Sequence, residues 1–276
     1  MSSFGSPYVE GNSIFHRMNP AVKMLMFIFW SIIVFMYLDI RVSLFLVVFG
    51  SLLLYLSRIP GRIIKNLFFA VITFNIINVI FIIIISPDFG IELAGHKTVL
   101  KKFFGYQIYT ESVMYLVVLS LKYLSLLPPT IIFIFTTHPS QFACSLNKIG
   151  VPYKLAYTFN LIFRYLPEVH IRFNTITKAQ AARGISFGKD EPSFWQKTKN
   201  LFCTIIPLMN FALERIDKIT VAMELRSFGK KRVRTWYNEA SFTGTDAIYL
   251  LVITTMFMLF VYLRCKVWKG FNYILF

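Results

Sequence analysis

Charge is scarce in this sequence, and acid scarcer still. Only 15% of its 276 residues are Asp, Glu, Lys or Arg, with 13 acidic against 29 basic. A soluble domain carries roughly 25% charged residues, so an ordinary water-soluble globule is excluded. The three cysteines, Cys144, Cys203 and Cys265, have no metal or redox spacing and read as reduced thiols. The four histidines, His16, His96, His138 and His170, are scattered without metal-ligand spacing. No convergent polar set of the kind a membrane-bound enzyme needs is visible. The first 20 residues have no charged start followed by an apolar stretch, so no cleavable signal peptide is expected. A phosphate-binding loop is also missing. Gly184-Ile185-Ser186-Phe187-Gly188-Lys189-Asp190 has one residue too few between its glycines, Asp in place of Ser or Thr after the lysine, and no preceding strand. No nucleotide or other cofactor is expected on this chain.

What the sequence does have is apolar bulk: 56% hydrophobic residues, 30 of them Phe. Met24–Leu38 and Val42–Leu56 are apolar runs broken by Asp39-Ile40-Arg41. Each is shorter than the ~20 residues that cross a bilayer core, so flanks such as Ala21-Val22 must help, and the pair reads as a tight helical hairpin. Arg58, Arg62 and Lys65 follow around Pro60-Gly61 as a basic turn. Leu67–Ile85 is a third span whose Asn75 and Asn78 share a face and suit interhelical hydrogen bonds. Residues 86–111 form a polar loop without net charge, suited to the outer side. Ser112–Phe135 is a fourth span, with Lys122 expected to meet a partner helix or to snorkel, and Pro128-Pro129 expected to break or kink it. Ala247–Leu263 is a fifth.

The net charge of +16 is unevenly placed. Residues 137–245 hold 16 Lys and Arg against 7 Asp and Glu, a balance of +9. Between apolar spans, such an excess marks a cytoplasmic segment and argues against a nucleic-acid partner. The expected organisation is an all-α membrane protein with about five transmembrane helices and a cytoplasmic domain of long crossed amphipathic helices. Residues 1–137 form the N-terminal membrane region, 138–240 the cytoplasmic domain, and 241–276 the last span and tail. That is a multi-pass protein of the cell membrane, in contact with lipid.

Within the basic segment, Pro152 opens a helix that runs to about Arg183, bent near Pro167. Glu168 lies four residues from both Arg164 and Arg172, a spacing that predicts ion pairs along the helix. A second long helix spans about Ser193 to Ser227. Its Leu201, Ile205, Leu208, Ala212, Ile216, Ile219 and Met223 make one apolar face, widened by Phe202, Met209 and Leu213, with Glu214 and Lys218 opposite. So wide a face suits a membrane surface or an apolar platform for a partner. Leu201, Ile205, Leu208, Met209, Leu213 and Ile216 are its candidate contact residues.

The segment also repeats itself. Ile176-Thr177-x-Ala179-x-x-x-Arg183 matches Ile219-Thr220-x-Ala222-x-x-x-Arg226 at a constant offset, and Ser-Phe-Gly-Lys closes both, at 186–189 and 227–230. One such helix end is explained by electrostatics, since arginine favours the negative end of a helix dipole and glycine caps it. Two matching ends in one segment suit insertion into two similar clefts. The small alanines permit close approach, and a guanidinium fork can bond carboxylates or backbone carbonyls.

Three pieces of this sequence resemble the transmembrane (T) component of energy-coupling factor transporters, a family that includes the cobalt-transport permeases. Ser13-x-x-His16-Arg17-x-Asn19-Pro20-x-x-Lys23 is similar to the family's segment before the first span. Thr137-x-Pro139-Ser140 with Ile149-Gly150-Val151-Pro152 is similar to its link into the cytoplasmic helices. Ala182-Arg183-Gly184 and Ala222-x-Glu224-x-Arg226 resemble its paired Ala-Arg-Gly motifs, with Ser227 where glycine is usual. The resemblance implies a non-enzymatic scaffold that bridges two ABC-type ATPase subunits and a membrane-embedded substrate-binding (S) component. It implies ATP and Mg on the ATPases only, docking of the two Arg-bearing ends on those ATPases, and an apolar surface offered to the S component for micronutrient uptake. The nearest alternative is the permease of a conventional ABC importer, for which Gln180-Ala181-Ala182 imitates the start of the coupling loop but Ser186 stands where glycine is due.

Overall fold

The computed structural model describes residues 8, 9, 11, 13–85, 99–103, 106–185, 194–230, 235–236 and 242–266. In chain order its elements are α1 (Ile14–Arg17), α2 (Pro20–Met36), α3 (Ile40–Ser57), α4 (Gly61–Ile85), β1 (Val99–Phe103), β2 (Tyr106–Tyr109), α5 (Thr110–Thr136), α6 (Pro139–Lys148), α7 (Tyr153–Ala182), α8 (Phe194–Leu225) and α9 (Gly244–Lys266). They fall into two compact units: residues 7–138 with 240–276, and residues 139–239 with 1–6.

The first unit is the membrane region. Ile40–Ser57, Gly61–Ile85, Ser112–Thr136 and Gly244–Lys266 are long and apolar enough to cross a bilayer, and α2 is a shorter apolar helix beside them. The chain is thus an all-α membrane protein. One local departure lies in the expected polar loop, where β1 and β2 pair antiparallel with Phe103 opposite Tyr106. The interruption between the first two apolar runs is a helix start. The Asp39 carboxylate accepts the Arg41 N–H at 2.9 Å, capping α3 and allowing the chain to reverse within three residues.

Helix α5 is the centre of the unit, packed against α2, α3 and α4. Pro128 and Pro129 do not break it: the helix continues to Thr136. A proline removes the N–H that would bond the carbonyl four residues earlier, so Pro129 frees the Ser125 carbonyl. The Trp30 indole N–H donates to that carbonyl at 3.0 Å, and a neighbouring helix thereby supplies the lost bond. The Pro128 ring lies over Gly50 of α3, where an added Cβ would come within 2.8 Å of it. Glycine is what lets α3 and α5 approach this closely.

Of the two asparagines of α4, Asn75 bonds between helices as expected. It accepts from the Ser120 hydroxyl at 2.9 Å and donates to the Ser120 carbonyl at 3.4 Å. The buried Oδ1 of Asn78 finds no partner among the described residues. Lys122 is buried on α5 with no acidic partner among the described residues.

The Ser13-to-Lys23 segment welds three helix ends together. Asn19 caps α2 by accepting the Ala21 N–H, with Pro20 in the first turn. The Asn19 N–H donates to the Asp246 carboxylate at 2.9 Å, and the other oxygen of Asp246 accepts the Thr243 N–H at 3.0 Å, capping α9. Lys23, wholly buried, donates its ammonium to the Thr136 carbonyl at 2.7 Å, at the end of α5. The Val9 N–H bonds the carbonyl of Phe135 one residue earlier. A lysine at a helix C-terminus satisfies an orphan carbonyl and opposes the negative end of the dipole. His16 holds the preceding turn, with Ser13 Oγ 2.7 Å from its Nδ1 and the Val9 carbonyl 2.9 Å from its Nε2. The ring lies so close to Gly11 that a Cβ there would meet it at 2.9 Å.

Two outcomes follow. Trp30→Phe leaves the Ser125 carbonyl unpaired and is expected to lower stability by about 1–3 kcal/mol, read as a lower thermal midpoint of the purified protein. Burial, partly offset by the bond to Val9, lowers the His16 pKa below its ordinary value. Its contribution is therefore present above about pH 6.5 and lost as the pH falls through the lower folded pKa. Protection of the amides of residues 13–18, taken relative to the intrinsic exchange rate at each pH, should fall on acidification, and His16→Gln should abolish that fall; protection that does not change with pH in the unaltered chain refutes the assignment.

Candidate functional site

Helices α6, α7 and α8 form the second unit. Helix α7 begins directly after Pro152, and its Pro167 lies within a continuous helix. Helices α7 and α8 run antiparallel, pinned at three levels. Arg215 bonds Glu168 at 2.9 Å. The Arg172 guanidinium sits 4.6 Å from the Phe211 ring. The Gln180 amide donates to the Cys203 carbonyl at 3.2 Å. Each four-residue step forward on α7 is matched by a four-residue step back on α8, so the partners hold one register.

Glu168 does not pair with Arg164 or Arg172, the partners its helical spacing predicts. Arg215 takes it instead, at a half-buried contact where the guanidinium also lies 5.4 Å from the Tyr165 ring. A cross-helix partner on a stacked, partly dehydrated surface outcompetes an exposed neighbour on the same helix, which is worth only a few tenths of a kcal/mol. The exposed Glu214–Lys218 pair forms as its spacing predicts, at 2.5 Å. Its hydrogen bond holds the Glu214 carboxyl below the usual range.

The two arginines end their helices in the same way. At the end of α7 the Gly184 N–H bonds the Ala181 carbonyl at 3.0 Å and the Ile185 N–H bonds Gln180 at 3.1 Å. At the end of α8 the Ser227 N–H bonds the Glu224 carbonyl and the Phe228 N–H bonds Met223, both at 2.9 Å. These are two Schellman closures. Gly184 adopts φ +83° and Ser227 φ +55°, so serine takes the left-handed conformation that its glycine counterpart takes. Arg183 and Arg226 precede these residues at matching positions, and both are exposed. Ala182, Ala222 and Glu224 are exposed beside them, and Gly184 is also at the surface.

The antiparallel register sends the two tips to opposite ends of the helix pair. Phe228 packs on Tyr157 at 4.7 Å and on Tyr153 at 5.7 Å, at the start of α7, whereas Arg183 lies at its far end. With α7 rising 1.5 Å per residue, the tips lie about 40 Å apart. The aromatic cluster around Phe228 also includes Trp236, whose indole N–H donates to Asn147 at 3.3 Å. Asn147 in turn donates to the Val151 carbonyl in the Gly150-Val151-Pro152 turn. The Gly150-Val151-Pro152 part of the link motif and the second arginine motif, far apart in sequence, are thus one packed end of the unit.

The apolar face of α8 remains largely uncovered: Leu201, Ile205, Met209, Leu213 and Ile216 are exposed, while Leu208 is half-buried. A second stripe on α7 escaped the sequence reading. Leu155, Phe159, Ile162, Leu166 and Val169 are also exposed, at helical steps of four and three. The periodicity was visible in the sequence; the charged residues interleaved with it obscured the face.

The CbiQ family, described as cobalt transport protein, matches residues 11–237. The chain is 27% identical over 262 residues to the energy-coupling factor transporter transmembrane protein EcfT of Lactococcus lactis subsp. cremoris, covering 92% of this chain and 95% of that protein. It is 28% identical over 261 residues to the EcfT of Streptococcus equi subsp. equi, covering 91% and 93%. It is 24% identical over 265 residues to the EcfT of Bacillus subtilis, covering 93% and 96%.

A non-glycine residue in the left-handed region costs about 1–2 kcal/mol. Ser227→Gly is therefore expected to stabilise the protein by about 1 kcal/mol, measured as a raised thermal midpoint, whereas Gly184→Val should destabilise it. A neutral or destabilising Ser227→Gly contradicts the strained closure.

Proposed function

This chain belongs to the CbiQ family of cobalt transport proteins, and from that membership we propose that it is the scaffold and coupling subunit of an energy-coupling factor transporter. As such a transmembrane component it holds together two ABC-type ATPase subunits and a membrane-embedded substrate-binding S component. ATP and Mg are bound and turned over on the ATPases, and this chain is no enzyme. Residues 137–245 lie in the cytoplasm.

The observation that carries this reading is the pair of matching Schellman-closed, arginine-tipped helix ends at opposite poles of α7 and α8. A single arginine at a helix end is ordinary dipole chemistry. Two copies of one tip, about 40 Å apart by helix rise, fit one cleft on each of two similar subunits. The guanidinium of Arg183 or Arg226 supplies the directional bonds. Ala182 with Gly184, and Ala222 and Glu224 with Ser227, shape the surface around them. The uncovered apolar residues of α8, among them Leu201, Ile205, Met209, Leu213 and Ile216 with Leu208 at the margin, supply the platform for the S component. Movement of the paired helices on ATP binding and hydrolysis would then reorient that component and release its vitamin or other micronutrient inside.

Arg183→Glu and Arg226→Glu should each weaken co-purification of the ATPases, and together abolish uptake. Loss of a charge-assisted bond and its replacement by repulsion corresponds to about 2–5 kcal/mol for a buried interfacial charge. Full co-purification of both ATPases with the double variant refutes the docking role.

A further inference from the structure

Within the membrane unit an apolar slot of about 260 Å³ lies between α1, α2, α3 and α9. Its rim residues Ile14 and Leu56 are exposed, as is Val252 along α9, while Ile33 and Leu46 at its far end are buried. From Leu56 to Leu46 along α3 is ten residues, or about 15 Å at the helical rise. That depth matches one leaflet, half of a ~30 Å hydrocarbon core. The lining is hydrocarbon, thioether and aromatic, with Tyr249 contributing its one hydroxyl. Trp30 also lines it, but its indole N–H is already committed to the Ser125 carbonyl.

The slot's shape and its surroundings select an occupant. A helix with its side chains is about 10–12 Å across, too thick for this volume spread over that depth. Apart from the Tyr249 hydroxyl, a polar solute would find no hydrogen-bonding partner along the walls. A single extended hydrocarbon chain fits both the volume and the length. Arg17 ends α1 three residues after Ile14, and Arg58 follows α3 two residues after Leu56, so both lie on the chain segments that carry the rim. Both are exposed, and neither pairs with a carboxylate among the described residues. An acyl chain standing in the slot therefore brings its headgroup to the end where these two exposed arginines lie.

We propose that this slot is a binding site for an anionic membrane phospholipid, one acyl chain lying between α2, α3 and α9 and its phosphate at Arg17 and Arg58. The assignment is independent of the coupling role. A lipid seated there fills space between α2 and α9 that the described side chains leave open, and it tethers α1 to the membrane surface.

The test is photo-crosslinking of the full-length protein in phosphatidylcholine vesicles that contain phosphatidylglycerol with a diazirine on its acyl chain. Adducts are expected on the buried Met26 and Trp30 or on the half-buried Leu53. Excess unlabelled phosphatidylglycerol should remove them, and the same excess of phosphatidylcholine should not. Arg17→Ala and Arg58→Ala should each lower the yield about fivefold, the effect of one basic residue at an anionic surface. Adducts confined to outward-facing Phe35, Leu52 and Tyr55 overturn the proposal, because they report only surrounding bulk lipid. Equal competition by phosphatidylcholine overturns the headgroup assignment and with it the site. Absence of slot adducts, as when a partner helix or the chain's own C-terminal residues fill it, overturns it as well. The competition arms use the unaltered chain, so they stand even if an arginine variant fails to fold.

Discussion

The membrane unit depends on one buried cation. The Lys23 ammonium reaches the terminal carbonyl of α5 at Thr136, a group with no partner inside its own helix. In a medium without water such a carbonyl costs several kcal/mol if left unmade. Lys23 lies one turn into α2, whose cap residue Asn19 is bonded to Asp246 at the start of α9. A single charge-assisted contact therefore fixes where α5 ends relative to the starts of two other helices. Asp246 supplies a nearby negative charge that offsets part of the cost of burying this lysine.

The same rule, that every backbone group in the membrane must find a partner, accounts for the centre of the unit. Two consecutive prolines in α5 would be a break in water. Here the Trp30 indole answers the carbonyl that Pro129 exposes, and Gly50 makes room for the Pro128 ring. The bond and the gap come from α2 and α3, so the proline pair acts as a socket for its neighbours. The second unit is organised differently. Its long helices α7 and α8 meet through a few polar and cation–aromatic contacts and leave much apolar surface uncovered. A soluble domain rarely shows so much, and the proposed assembly gives that surface a partner.

The repeat in the basic segment and the geometry of its two copies explain each other. Short apolar and small residues at the same spacing build the same last turn, and the Schellman closure then places each arginine at its tip. Gly184 adopts the left-handed turn freely. Ser227 adopts it under strain, held by the closure bonds and by the packing of Phe228 on Tyr153 and Tyr157. The departure from glycine at 227 thus changes the energy of the second tip and preserves its backbone shape.

Local pattern was enough to reveal the spans, the long helices and the Arg183 and Arg226 pair, because helix periodicity, apolar length and capping chemistry act over a few residues. By itself the sequence determined that this is a helical membrane protein with two alike helix ends in a basic segment. It did not determine partners distant in the chain. That Glu168 bonds Arg215 instead of Arg164 or Arg172, that Trp30 repairs a proline gap 95 residues away, and that Lys23 is buried against Thr136 were decided by the tertiary structure alone. Each is a competition among possible partners, settled by which one the packing brings within bonding distance and removes from solvent, and that choice is written in no local spacing.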